Sequence, residues 1–134
     1  LAANPDGVAV THGGYPAMAT MKIVGLKDRL VKGYDAELLI DEREWEELTD
    51  ESRAALIDHE LCHLDLVTKE DPISGDMILQ RDDLGRPKLR TRKGDWNVGD
   101  GFRDVVFRHG DDAVEFENIR RAFARANLAK RGEE

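Results

Sequence analysis

The sequence predicts a small α+β domain in which an antiparallel or mixed sheet, one hairpin included, packs on a central helix. Three observations predict it. From Thr49 to about Leu66 the apolar residues recur at helical spacing on two stripes, which places that helix inside the domain instead of on its surface. Ala36 to Ile40 (AELLI) is a short apolar run entered after the turn-like Lys32-Gly33, the pattern of a strand. Between Asp76 and Lys93, Met77-Ile78-Leu79 and Lys88-Leu89-Arg90 flank the acidic, glycine-containing stretch Asp82 to Pro87, the pattern of a β-hairpin.

A chain of 134 residues has room for one domain with a modest core. The expected organisation is an irregular lead-in over residues 1–16, rich in Gly, Pro and Asn, and a single domain over 17–134. With 36% charged residues and a formal net charge of -8, the surface is heavily solvated and acidic. Broad nucleic-acid binding, which depends on basic surface displacing phosphate counterions, is therefore not expected. The single cysteine, Cys62, allows no internal disulfide. No apolar run reaches bilayer length and the first residues lack a basic-then-apolar leader pattern, so the expectation is a cytoplasmic protein.

The elements follow in order. Ala17 to Leu26 reads as a strand, or a short helix followed by one, and Ala36 to Ile40 as the next strand. Asp41-x-x-Glu44 is a capping-box pattern opening a short helix to Leu48, with Trp45 and Leu48 inward. Thr49 caps the central helix, and Asp50 and Glu51 in its first turn suit the helix dipole. Leu56 and Leu66 lie toward one stripe, Ile57, Leu61 and Leu64 along the next, while Asp58 and Asp65 mark the exposed strip. After the hairpin and a loop over Gly94 to Gly101, Phe102, Val105, Val106 and His109 recur at helical spacing up to a C-capping Gly110. Asp112 with Glu115 opens a last helix whose inner face is Phe116, Ile119, Phe123 and Ala126.

The central helix contains His59-Glu60-Leu61-Cys62-His63, a His-Glu-x-x-His motif. Histidines at i and i+4 sit one turn apart on one face, so both imidazoles can reach one Zn²⁺. Glu60 projects beside them, placed to take a proton from a water that zinc has made acidic. Two core histidines without a metal are the plainer alternative, but stacking them with a glutamate on a buried helix would leave several desolvated polar groups uncompensated. These residues point to hydrolysis of a peptide bond, with Glu60 as general base and then general acid.

The run from Asp35 through Leu64, DAELLIDEREWEELTDESRAALIDHELCHL, resembles the phage metallopeptidases, small zincin-like proteins of phages and prophages. The likeness continues through GRPKLRTRKGDW and FRDVVFRHG and covers roughly residues 20 to 112. It implies a zincin-like fold, zinc as cofactor, His59 and His63 as metal ligands, Glu60 as catalytic base, and a peptide or protein as substrate. A phage-encoded enzyme of this kind works in the bacterial host cytoplasm. More distantly the layout is similar to Spartan-type proteases, an analogy of fold and motif that does not fix a substrate.

A catalytic zinc takes three protein ligands and keeps one open position. Related sequences carry a His-Asp pair just after the hairpin, where this chain has Gly94-Asp95, so Asp95 is the first candidate for the third ligand. His109, pointed inward by its spacing, is the second; Asp100 and Asp104 follow. His12 lies in the glycine-rich lead-in and is expected to be exposed. Cys62, one position before His63, points away from the histidine face and reads as a small buried hydrophobe. Lys88, Arg90 and Arg92 share one face of the second hairpin strand, where charge guards an edge strand against aggregation or meets nucleic acid or an acidic substrate. Three rivals stand beside this reading: a protein in which the metal only staples the core, a binding protein built on a degenerate protease, and a DNA-associated protease, which DNA-stimulated cleavage would single out. Oligomeric state is not legible in these residues.

Overall fold

The computed structural model describes residues 1–94, 101–116, 123 and 125–127. It is mixed α+β with small antiparallel sheets. The chain forms two compact units, one from Leu1–Trp45 and Glu60–Arg92, the other from Glu46–His59 and Lys93–Glu134.

In the first unit, Thr11–His12 (β1) pairs with Tyr15–Pro16 (β2) around Gly13-Gly14, whose φ values are 57° and 83°. Two consecutive positive φ values are what a tight hairpin turn requires and what a Gly pair supplies without strain. The lead-in, expected to be irregular, thus contains a short hairpin. Ala19–Ile23 (β3) pairs antiparallel with Ala36–Ile40 (β4), in register from Ala19 opposite Ile40 to Ile23 opposite Ala36. Strand β4 lies where its apolar run predicts. Between the two strands is a helix the sequence reading did not anticipate, Leu26–Lys32 (α1), closed by Gly33 at φ 77°. Its buried residue is Arg29, whose guanidinium donates to Asp35 Oδ1 at 2.9 Å and Asp82 Oδ2 at 2.7 Å.

Asp41 starts the helix Glu42–Glu47 (α2) as expected, with Oδ1 accepting from the Arg43 amide at 3.0 Å. Its other oxygen accepts from the Ala9 amide at 2.9 Å, and its own N–H donates to Met18 O at 2.8 Å. One buried residue therefore ties the lead-in, the residue before β3 and α2 together, through its carboxylate and its backbone N–H.

The hairpin expected over Asp76 to Lys93 is only partly realised. Leu64–Leu66 (β5) pairs with Leu89–Thr91 (β8), and Thr68–Glu70 (β6) pairs with Met77–Leu79 (β7). Val67 joins the two ladders, donating to Lys88 O at 3.0 Å and accepting from the Gln80 amide at 2.9 Å. The stretch 64–70 is thus a common partner for both arms, and 81–87 is an excursion closed by an Arg81–Pro87 bridge. For the same reason the central helix does not run to Leu66. Residues 64–66 gain a ladder of backbone bonds to 89–91, which outweighs their helical pattern.

In the second unit, Thr49 caps the helix Asp50–Cys62 (α3), its Oγ1 accepting from the Ser52 amide at 3.1 Å. The buried stripe is Ala55, Leu56, His59 and Glu60, whereas Leu61, expected inward, is 54% exposed. Phe102 precedes Arg103–His109 (α4), and the Gly110 amide returns to Val106 O. The last helix does not begin at Asp112. Two 3-10 turns, Gly110–Asp112 and Val114–Phe116, occupy the place, with Ala113, Val114 and Glu115 buried. Residues 123 and 125–127 are helical, but Phe123 and Ala126 are exposed, not part of an inner face. Ile119 lies outside the described residues. Among those described, no helix is long and apolar enough to cross a membrane.

Candidate metal centre

His59 and Glu60 lie on the last turn of α3, and His63 follows its end at Cys62. The His63 amide bonds back to Glu60 O at 3.1 Å, a tight closing turn that keeps the i, i+4 placement of the two histidines. One ligand atom from each of His59, Glu60 and His63 lies within 4.8 Å of the others. His59 is 0% and Glu60 1% exposed, and His63 is half-buried. The three side chains belong to one continuous stretch of chain, so local helix geometry brings them together.

Each imidazole is fixed through its Nδ1. His63 Nδ1 lies 2.8 Å from Arg92 O; a carbonyl can only accept, so Nδ1 carries the proton. The Arg92 amide in turn donates to His63 O at 2.6 Å, extending the β5–β8 ladder by one residue. His59 Nδ1 lies 2.7 Å from Glu115 Oε1, and the same oxygen accepts the Phe102 amide at 3.2 Å. One carboxyl oxygen thus holds both the imidazole and the Phe102 backbone. A bond at Nδ1 leaves Nε2 of each ring as the nitrogen able to offer a lone pair to a metal. Two imidazoles with a carboxylate beside them could hold a divalent metal. The residues present therefore fit a metal of this kind.

The Phe102 ring rests on His59, centroids 4.9 Å apart and planes at 60°. Gly94 is buried against the same ring. A Cβ built on Gly94 would lie 2.6 Å from Phe102 Cε1 and 2.7 Å from Cε2, well inside carbon–carbon contact distance. Gly94 is therefore matched to a phenylalanine ring filling the space beside it.

The other sequence candidates are placed as follows. His109 Nε2 lies 2.8 Å from Asp58 Oδ2, and Arg108 holds both oxygens of that carboxylate at 2.6 and 2.7 Å. The Arg108 guanidinium, with help from His109, keeps the Asp58 carboxyl below the usual carboxylate range against the opposing effect of burial. The structure thus brings His109 to Asp58; it is not in the His59–Glu60–His63 group. Asp95 and Asp100 lie outside the described residues. Asp104 is an exposed residue in the first turn of α4. His12 is exposed on β1, and Cys62 is half-buried. Of the basic strip, Arg90 pairs with Asp65 Oδ2 at 2.9 Å across β5 and β8. Glu115 was read from sequence as a helix-start residue. The signal that marks it is its place inside Ala113-Val114-Glu115-Phe116, a carboxylate in an apolar run.

A family model described as putative phage metallopeptidase matches residues 8–127, a span that includes residues of both compact units. No curated protein and no solved structure matches.

Proposed function

The chain belongs to the putative phage metallopeptidase family, and on that premise we propose that it is a zinc-dependent peptidase of zincin-like design. The observation that carries the reading is the His59–Glu60–His63 group, with both Nδ1 atoms bonded within the protein, which supports the two Nε2 atoms as ligands. Asp95 supplies the third ligand in this reading; His109, whose Nε2 is engaged with Asp58, does not. Bound zinc would supply Lewis acidity at the scissile carbonyl and lower the pKa of the attacking water. Glu60 takes that water's proton as general base and delivers it to the leaving amine. Its burial beside the histidines excludes bulk water from the proton's path. The substrate is a peptide or protein, and the setting a bacterial host cytoplasm for a phage- or prophage-encoded protein.

Elemental analysis of the purified protein tests this directly, beside His59→Ala and Glu60→Gln. About one zinc per chain is expected in wild type and Glu60→Gln, and loss of it in His59→Ala. Peptidase activity should then disappear in Glu60→Gln although the metal stays. Wild-type protein that takes up no zinc when it is supplied would overturn the peptidase and favour a binding protein on a protease-derived scaffold. Zinc retained with no effect of Glu60→Gln on any cleavage would favour the stapling role.

A further inference from the structure

Beyond the motif residues, we propose that Glu115 is the positioning residue of the metal centre, fixing the tautomer of His59 and supplying the charge that strengthens its bond to a cation. The inference rests on the metal reading of the preceding section. Glu115 is 0% exposed and enters from a 3-10 turn 56 positions along the chain from His59. Its Oε1 takes the His59 Nδ1 proton at 2.7 Å and the Phe102 amide at 3.2 Å. Its Oε2, equally buried, has no hydrogen-bond partner among the described residues.

That arrangement is poor as a purely structural feature. A carboxyl group fully removed from water, with one oxygen unsatisfied and His59 as its side-chain partner among the described residues, is costly to bury. A cation on His59 Nε2 offsets it. A carboxylate bonded at Nδ1 makes Nε2 more basic, and a bound cation would balance its charge. Its burial is unfavourable without metal and favourable with it. Phe102 completes the arrangement, its amide holding the carboxylate and its ring packing on the imidazole.

The test is Glu115→Gln, which keeps volume and a carbonyl acceptor but removes the charge. Zn²⁺ affinity is measured by chelator competition, and thermal midpoints are measured with and without zinc. The ¹⁵N shifts of His59 in metal-free protein report its tautomer. Metal-free Glu115→Gln is expected to melt at or above the wild-type temperature, yet to bind Zn²⁺ about 10- to 100-fold more weakly and gain less on zinc addition. Wild-type His59 should show the proton on Nδ1. A structural role alone predicts that Gln lowers both melting temperatures together and leaves affinity unchanged. Wild type that binds zinc while Glu115→Gln binds it equally well overturns the role of Glu115 and leaves the metal centre standing. Wild type that binds no zinc overturns both.

Discussion

Gly94 offers the sharpest check on how the second unit is packed. Replacing it with alanine puts a methyl carbon 2.6 to 2.7 Å from two carbons of the Phe102 ring, where relaxed contacts lie near 3.5–4.0 Å. The ring must retreat by roughly 1 Å to restore that contact. It is 5% exposed and rests on the His59 imidazole, so the displacement is passed on to a buried, hydrogen-bonded group. Overpacking of this kind costs about 1–3 kcal/mol, reduced by about 0.4–1 kcal/mol because alanine lowers the entropy of the unfolded chain. The net expectation is a loss of about 1–2 kcal/mol, read as a lower urea midpoint at unchanged slope. Phe102→Ala alone should cost about 3–5 kcal/mol. In that background the added methyl enters vacated space, so Gly94→Ala should be neutral or slightly stabilising. The double-mutant cycle should therefore return a coupling of about 1–3 kcal/mol. Simple additivity would refute the packing of Phe102 against Gly94.

Two further predictions concern the first unit. The amide of Ala9, with those of Glu44 and Arg43, holds the Asp41 carboxyl below the ordinary carboxylate range against the effect of burial. A depressed pKa means that its stabilisation is complete above the ordinary carboxylate pKa and is lost as pH falls through the lowered folded value. Asp41→Asn should flatten the acid limb of a stability–pH profile, and Asp41→Ala should also lose about 1 kcal/mol of helix capping at neutral pH; an unaltered acid limb in both would contradict the assignment. Arg29→Met should destabilise by about 3–5 kcal/mol, because Asp82, with a side chain 10% exposed, loses its guanidinium partner. Arg29→Lys should recover little of this, since an ammonium cannot reproduce the fork that bonds Asp35 and Asp82 together, and a chemical denaturation series of the three proteins decides it.

Much of this protein is local and was therefore readable in the sequence. Strand Ala36–Ile40, the caps at Asp41 and Thr49, the C-terminal stop at Gly110 and the His59–Glu60–His63 spacing each depend on residues within a turn of one another. Helix periodicity and capping chemistry act over that range, so the pattern suffices. Tertiary structure decided the rest. The Leu64–Leu66 segment continues the helical pattern of α3, but ladder bonds to 89–91, some 25 residues away, turn it into a strand and leave His63 at the helix end. His109 has helical spacing that turns it inward, yet its partner proves to be Asp58, 51 positions earlier. Glu115 sits three residues after Asp112, where a capping pattern is legible, but it bonds to His59, 56 positions away. A sequence records which side chains are polar; which distant group meets each one follows from where the folded backbone brings them, and no local period encodes that.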